Sequence, residues 1–311
     1  MTTPTQRDAF WDGIYEEALK DGDVVIVSAD MAAPALDKFR RRLPHQFVNV
    51  GIAEQNAILV AAGMALEGKK PYAYAIAPFI TYRCYEQIRL YCAGMNLPIT
   101  VVGVGAGFSY DDSGPTHHTL EDISFMRVLP NLRVYNMTDS VMARAFAAIT
   151  RGQDHSSYIR LDRQVLPTLY APGDDFSSGM RRFRSGSDLL LVATGNMVHC
   201  ALKLAEELES KGVAAGVLDV YRFPIDPDLL GREVGEAPRV ATLAEHTLPG
   251  GLGSAVLETL ETAGIVMPVK RLGLDLSQGY CYQYGGRENI QRLHDLDHPT
   301  NLETILSWVG E

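Results

Sequence analysis

Cysteine is scarce in this chain: Cys84, Cys92, Cys200 and Cys281 are the only four, and no two stand in C-x-x-C spacing. That speaks against a disulfide framework or a structural zinc site and fits a reducing, cytoplasmic setting. No apolar run approaches the roughly 20 uninterrupted residues of a membrane span. The amino terminus, MTTPTQRDAF, lacks the positive region and apolar stretch of a secretion signal, so neither a signal nor a span is expected. Basic residues are in the minority, 28 Lys and Arg against 38 Asp and Glu, and the formal net charge of −10 is spread along the chain. This balance argues against a nucleic acid or an anionic membrane as partner. Internal repeats and low-complexity tracts are absent too.

What the chain does have is length and apolar residues, 311 positions of which 46% are hydrophobic. That is enough for two domains of about 150 residues each. Short β-rich runs, VVIVSAD (24–30), FVNVG (47–51), YAYAIA (72–77), ITVVGVG (99–105), RVYNM (133–137) and YIRLD (158–162), alternate with helical patterns at 5–20, 54–67, 79–93 and 139–150. Several of the runs are continuously apolar, as parallel strands covered on both faces are. The Gly-, Ser-, Asp- and Arg-rich stretch around 173–186 reads as a linker. The alternation then restarts with DLLLVATG (188–195), a helix at 197–210, AAGVLDVY (214–221), RVATLAEH (239–246), a helix near 251–263 and VKRLGL (269–274). The expected fold is therefore α/β, two consecutive parallel-sheet domains over 1–172 and 187–311.

Four segments carry residues suited to chemistry. In GIAEQN (51–56) a strand ends, the chain turns, and Glu54 opens a helix. An acid in a first turn commonly does no more than face the helix dipole. This one also sits at the carboxyl edge of a parallel sheet, where α/β proteins place ligands. In PFITYRCYEQIR (78–89), Phe79, Tyr82 and Tyr85 crowd a helix start with Arg83 and Arg89 between them. Such rings pack a core or offer a platform to a flat heterocycle. The loop 103–122 has glycines at 103, 105 and 107, but Phe108 occupies the third position of a dinucleotide fingerprint, which rules that reading out. Its adjacent His117 and His118 rarely could share one metal ion, and a proton-transfer role suits them better. Arg163, just past a strand end, is placed either for an anion or for solvent.

Taken in order, GIAEQN, FITYRCYEQIR, GPTHHTLEDISFMRVLPNL, DRQVLP and EHTLPGGLGSAV (245–256) resemble the carboxyl-terminal half of transketolases, closest to the split-gene form made as two subunits. The resemblance spans roughly residues 5–295 and implies a pyrimidine-binding domain followed by the family's C-terminal domain. It implies thiamine diphosphate as cofactor and ketol transfer between sugars or sugar phosphates as the reaction. No Gly-Asp-Gly motif occurs in the chain, so magnesium and the cofactor's diphosphate are expected on a separate diphosphate-binding subunit. The resemblance then predicts an α2β2 heterotetramer with each site at a subunit interface and no metal ligand here.

By the same resemblance Glu54 is catalytic, its carboxyl bonded to the cofactor's pyrimidine nitrogen. Phe79 stacks on the pyrimidine, and Asp30, Arg83 and Tyr85 complete the cofactor pocket. His117 matches the histidine that handles the substrate's oxygen protons, and Arg7 and Arg163 match the pair that holds a sugar phosphate. Ser113 stands where the family usually has an aspartate that reads a sugar hydroxyl. Gly105 replaces a phosphate-binding histidine of many transketolases, and Pro34 lies near the usual serine. A half-intact clamp implies a substrate other than the common pentose phosphates. Deoxyxylulose-phosphate-synthase-like condensation, a 2-oxoacid-dehydrogenase β subunit (a poorer match at GPTHH) and an inactive regulatory subunit are the alternatives.

Overall fold

The protein is described by a computed structural model over residues 3–235, 237–277 and 279–310. Its contacts divide it into two units, Met1–Ser109 with Phe125–Asp174, and Tyr110–Ser124 with Asp175–Glu311. Each unit carries its own sheet.

The strands of the first unit are β1 (Val24–Ser28), β2 (Phe47–Asn49), β3 (Lys70–Ile76), β4 (Thr100–Val104), β5 (Leu132–Asn136) and β6 (Ser156–Leu161). Within the unit they run β5-β6-β4-β3-β1-β2, all parallel. Every residue of β1, β4 and β6 is buried, which is why β1 and β4 are apolar without alternation, while the buried Ser156, Ser157 and Arg160 of β6 make hydrogen bonds. Helices α1 (Gln6–Ala18), α2 (Pro34–Arg42), α3 (Glu54–Leu66), α4 (Ala77–Thr81), α5 (Tyr85–Gln87) and α7 (Ser140–Arg151) belong to this unit, and α6 (Asp122–Met126) spans the division after Ser124. Helix α1 lies on α7 so closely that a Cβ on Gly13 would come 2.7 Å from the Cβ of Ala147. Asp139 caps α7: its fully buried carboxylate accepts from Met142 N at 2.8 Å, Leu169 N at 2.7 Å and Tyr170 N at 2.8 Å.

In the second unit the strands are β7 (Met180–Arg184), β8 (Leu189–Ala193), β9 (Ala215–Val220), β10 (Arg222–Phe223), β11 (Val240–Thr247) and β12 (Val269–Leu274), with helices α8 (Met197–Ser210), α9 (Pro227–Val234), α10 (Leu252–Thr262), α11 (Arg287–Leu293) and α12 (His298–Gly310). The sheet order is β12-β11-β8-β9-β7.

Two expectations change. The stretch expected as a linker contains β7, which pairs antiparallel with β9 and makes this sheet mixed. It shows no apolar period because only Met180 is buried and the other four residues are half-buried, and its Arg182 pairs with Glu233 at 2.8 Å. The continuous helix expected over 79–93 is broken into α4, a turn at Tyr82–Cys84, α5 and a wide winding over Ile88–Gly94 whose Met95 N bonds back five residues to Leu90 O at 2.9 Å. Thr81 weakens the helix at the break by bonding its hydroxyl to Ala77 O at 2.6 Å. No helix among the described residues is long and apolar enough to cross a membrane.

Candidate active site

The carboxyl ends of β1 and β2 are joined by Asn49, a residue no sequence signal picked out. Its Oδ1 accepts the backbone N–H of Asp30 at 3.1 Å and of Gly51 at 3.0 Å, and its Nδ2 donates to Asp30 Oδ1 at 3.0 Å. Asp30 itself is exposed and takes a left-handed conformation, φ 56°, which the paired side chains support. Gly51 follows with φ 74°, where a side chain would be strained, and this turn delivers Glu54 to the first turn of α3. No side chain among the described residues caps α3, so the Glu54 carboxylate is the charge that meets its positive end.

Glu54 is only 6% exposed. Arg83, on the turn between α4 and α5, sets Nη1 3.5 Å from each carboxylate oxygen. Gln55 holds that turn by donating to Arg83 O at 2.9 Å. The Arg83 guanidinium lies over the half-buried ring of Phe79, 4.0 Å from its centroid. The structure thus brings three of the expected cofactor residues, Glu54, Phe79 and Arg83, into one cluster. A buried carboxyl group can bond a ring nitrogen through a shared proton and an aromatic face can support a flat ring, so these residues fit the pyrimidine end of thiamine diphosphate. A heterocycle on that face of Phe79 needs Arg83 to swing aside, and its side chain is 52% exposed. Tyr85 has a different employment: its hydroxyl donates to Phe125 O at 2.9 Å, and its ring, like that of Tyr82, meets Phe125 edge-on at 5.1 Å.

Arg7 and Arg163, far apart in sequence, belong to segments that meet. The neighbouring Gln6 accepts from Asp162 N at 2.7 Å and donates to Met137 O at 3.0 Å, and Gln6 and Asp162 are both buried. Arg7 Nε also pairs with Asp8 at 2.8 Å. Gln6 was missed in the sequence because a buried amide bridging three segments leaves no local pattern.

Ser113 and His117 lie in the second unit, on the loop 110–124. Ser113 Oγ donates to Asp112 at 2.9 Å. His117 Nδ1 lies 3.0 Å from Thr116 Oγ1, and its ring is 5.6 Å from that of Tyr110. The next residue, His118, is buried, and desolvation holds its imidazole below the usual range, against the pull of Glu245. Among the described residues no group of three or more His, Cys, Asp or Glu side chains could hold a metal ion.

Two domain models of known proteins match the chain. The transketolase pyrimidine-binding domain matches residues 2–168, and the transketolase C-terminal domain matches residues 179–281. A 6-deoxy-6-sulfo-D-fructose transketolase subunit from Clostridium sp. (strain MSTE9) is 36% identical over 271 residues, 86% of this chain and 84% of the relative. An apulose-4-phosphate transketolase subunit from Phocaeicola vulgatus is 33% identical over 308 residues, 97% of each chain. Among solved structures, a split-gene transketolase described as an inactive beta4 tetramer is similar with a TM-score of 0.86 and 30% identity, over 99% of both chains.

Proposed function

This chain belongs to the transketolase family, and from that membership we propose that it is the cofactor-activating subunit of a two-subunit ketol transferase. The donor and acceptor are sugars or sugar derivatives with an anionic end. Glu54 carries this reading: a carboxylate 6% exposed at a helix start beside an aromatic ring. Thiamine diphosphate, when bound, supplies the chemistry that breaks and forms a carbon–carbon bond next to a carbonyl. Glu54 would hold the pyrimidine and share a proton with it, Phe79 would support its face, and Arg83 would move off that face. Asp30 would border the pocket, and Tyr85 would brace the turn through Phe125. His117, steadied by Thr116, would take and return the substrate's hydroxyl proton. Arg7 and Arg163 would grip the anionic end and Ser113 a hydroxyl. Magnesium and the diphosphate would lie on a separate subunit, in an α2β2 assembly.

The substrate reading follows from the altered residues. With Gly105 and Pro34 where the family places a histidine and, nearby, a serine, the clamp rests on two arginines and suits an end group other than an ordinary pentose phosphate, and Ser113 alters the reading of a hydroxyl. The two curated relatives act, by their names, on a sulfonated ketose and on apulose 4-phosphate. The test is to co-purify the chain with a diphosphate-binding subunit and screen ketose–aldose pairs by mass spectrometry. Transfer of a two-carbon unit is expected, faster with a modified sugar than with xylulose 5-phosphate. No transfer from any ketose rejects the reading; housekeeping rates with xylulose 5-phosphate reject the substrate part alone.

A further inference from the structure

Within the second unit, the segment 110–124, a loop that runs into the first residues of α6, is gripped chiefly by one short stretch of sequence. We propose that Glu245-His246-Thr247, with Pro249 and Gly250 behind it, is a socket that positions this loop and hence Ser113 and His117. The proposal rests on the reading of the loop as the substrate-handling segment.

Each letter of the motif has a distinct task. Thr247 donates its backbone N–H to Leu120 O at 2.8 Å. His246, buried, accepts Ile123 N–H on Nε2 at 3.1 Å, while its Nδ1 lies 2.9 Å from Thr247 O. That geometry assigns the proton to Nδ1 and leaves Nε2 as the acceptor. Only a ring with a donor on one side and an acceptor on the other meets both partners.

Glu245, two residues before the end of β11, is fully enclosed and binds Arg287 with two oxygens, Oε1 to Nε at 2.9 Å and Oε2 to Nη2 at 2.7 Å. Gln291 adds a bond to Oε1 at 2.6 Å. The pair fixes the start of α11, and there Arg287 donates its backbone N–H to Asp111 at 2.9 Å. Pro249 O accepts from Ser124 Oγ at 2.8 Å. Gly250 has φ 73°, and a Cβ there would come 2.7 Å from the Ser124 side chain, so the approach admits only glycine. Tyr280 completes the grip with a hydroxyl bond to Glu121 at 2.7 Å.

These bonds fall at the two ends of the loop, on Asp111 and on 120–124, and Ser113 and His117 lie between. Held ends shorten the free span and restrict where its side chains reach. The motif residues are positioning residues, acting on substrate through the loop.

Hydrogen exchange of the full chain, read by mass spectrometry, tests this with Tyr280→Phe and Gly250→Ala, against Glu207→Gln on a remote surface. Exchange in peptide 110–124 should rise about 5-fold or more in the first two variants while peptide 54–66 stays unchanged. In the reconstituted enzyme, substrate KM should rise about 5-fold while exchange of the cofactor's C2 proton, which reports Glu54, is unaffected. Wild-type exchange at 110–124 in both variants overturns the socket, as does a rise spread evenly over the unit's strands. Faster loop exchange with unchanged KM overturns the substrate role of the socket. Exchange is read without turnover, so an inactive reconstituted enzyme rejects the functional reading separately.

Discussion

Arg83 Nη1 stands 3.5 Å from both carboxylate oxygens of Glu54. The arrangement opposes a half-exposed cation to a buried acid at a distance too long for a strong bond. Glu54→Gln should therefore cost less than about 1 kcal/mol of stability, because a partly solvated pair contributes little. Its ketol transfer should fall by a factor of about 100 or more, the usual loss when a positioned acid–base group goes. Thermal melts and kcat on the reconstituted enzyme check both, and ordinary turnover in this variant removes Glu54 from the mechanism.

Gln6→Ala should be costly in a different way. It leaves Asp162 N and Met137 O buried without the amide that joins them. At about 1–3 kcal/mol for each orphaned group, a loss of about 2–6 kcal/mol is expected in urea unfolding. The KM for an anionic substrate should rise with it, since the same amide aligns the segments of Arg7 and Arg163. A variant as stable as the parent contradicts this account.

Acid should weaken the fold before the carboxylates titrate. His118, His155 and His294 are each held below the ordinary histidine value, with desolvation the largest cause in all three. For His118 the opposing influences are Glu245 and the backbone of Tyr110, while His117 and His294 add to the lowering. The unfolded chain then binds more protons than the folded one below about pH 6.5, so stability rises with pH there and is lost as pH falls. Glu17 and Asp21, lowered first by their bonds to Lys20 and Lys70, extend the loss below about pH 4. Urea midpoints between pH 7.5 and 5 should decline, and less steeply in His118→Asn. A flat profile sinks the argument.

Thiol chemistry should be selective. Burial pushes Cys84 and Cys92 up to about 12 and Cys200 to about 11, which keeps their thiols protonated at neutral pH. Iodoacetamide at pH 7.5 should label Cys281, in the loop ahead of α11, well before the other three. Peptide mapping over time decides it, and early labelling of Cys84 or Cys92 would falsify the burial argument.

The alternation of strand and helix was legible because it is local. A strand covered on both faces must be apolar throughout, and a helix start needs its turn and its acid, so β1, β4 and the onset of α3 could be read from a few residues each. Glu54, Phe79 and Arg83 were legible as neighbours of such signals, though nothing local put the guanidinium over the ring. The break in the expected helix over 79–93 and the antiparallel β7 were not legible. One follows from Thr81 and the turn it permits, the other from a strand in which only Met180 is buried.

By itself, then, the sequence determined the two α/β units and the order of the family's motifs, and it placed Glu54 at the start of a helix. The tertiary structure alone decided that Gln6 joins the segments of Arg7 and Arg163, that Asn49 ties Asp30 to Gly51, and that residues 110–124 are held by Glu245 to Gly250. Apart from the short Asn49–Gly51 bond, those bonds link positions from 19 to more than a hundred residues apart. Periodicity reports which face of an element is buried, but which distant donor meets which buried acceptor is set only when the packed chain leaves each polar group a single partner within reach.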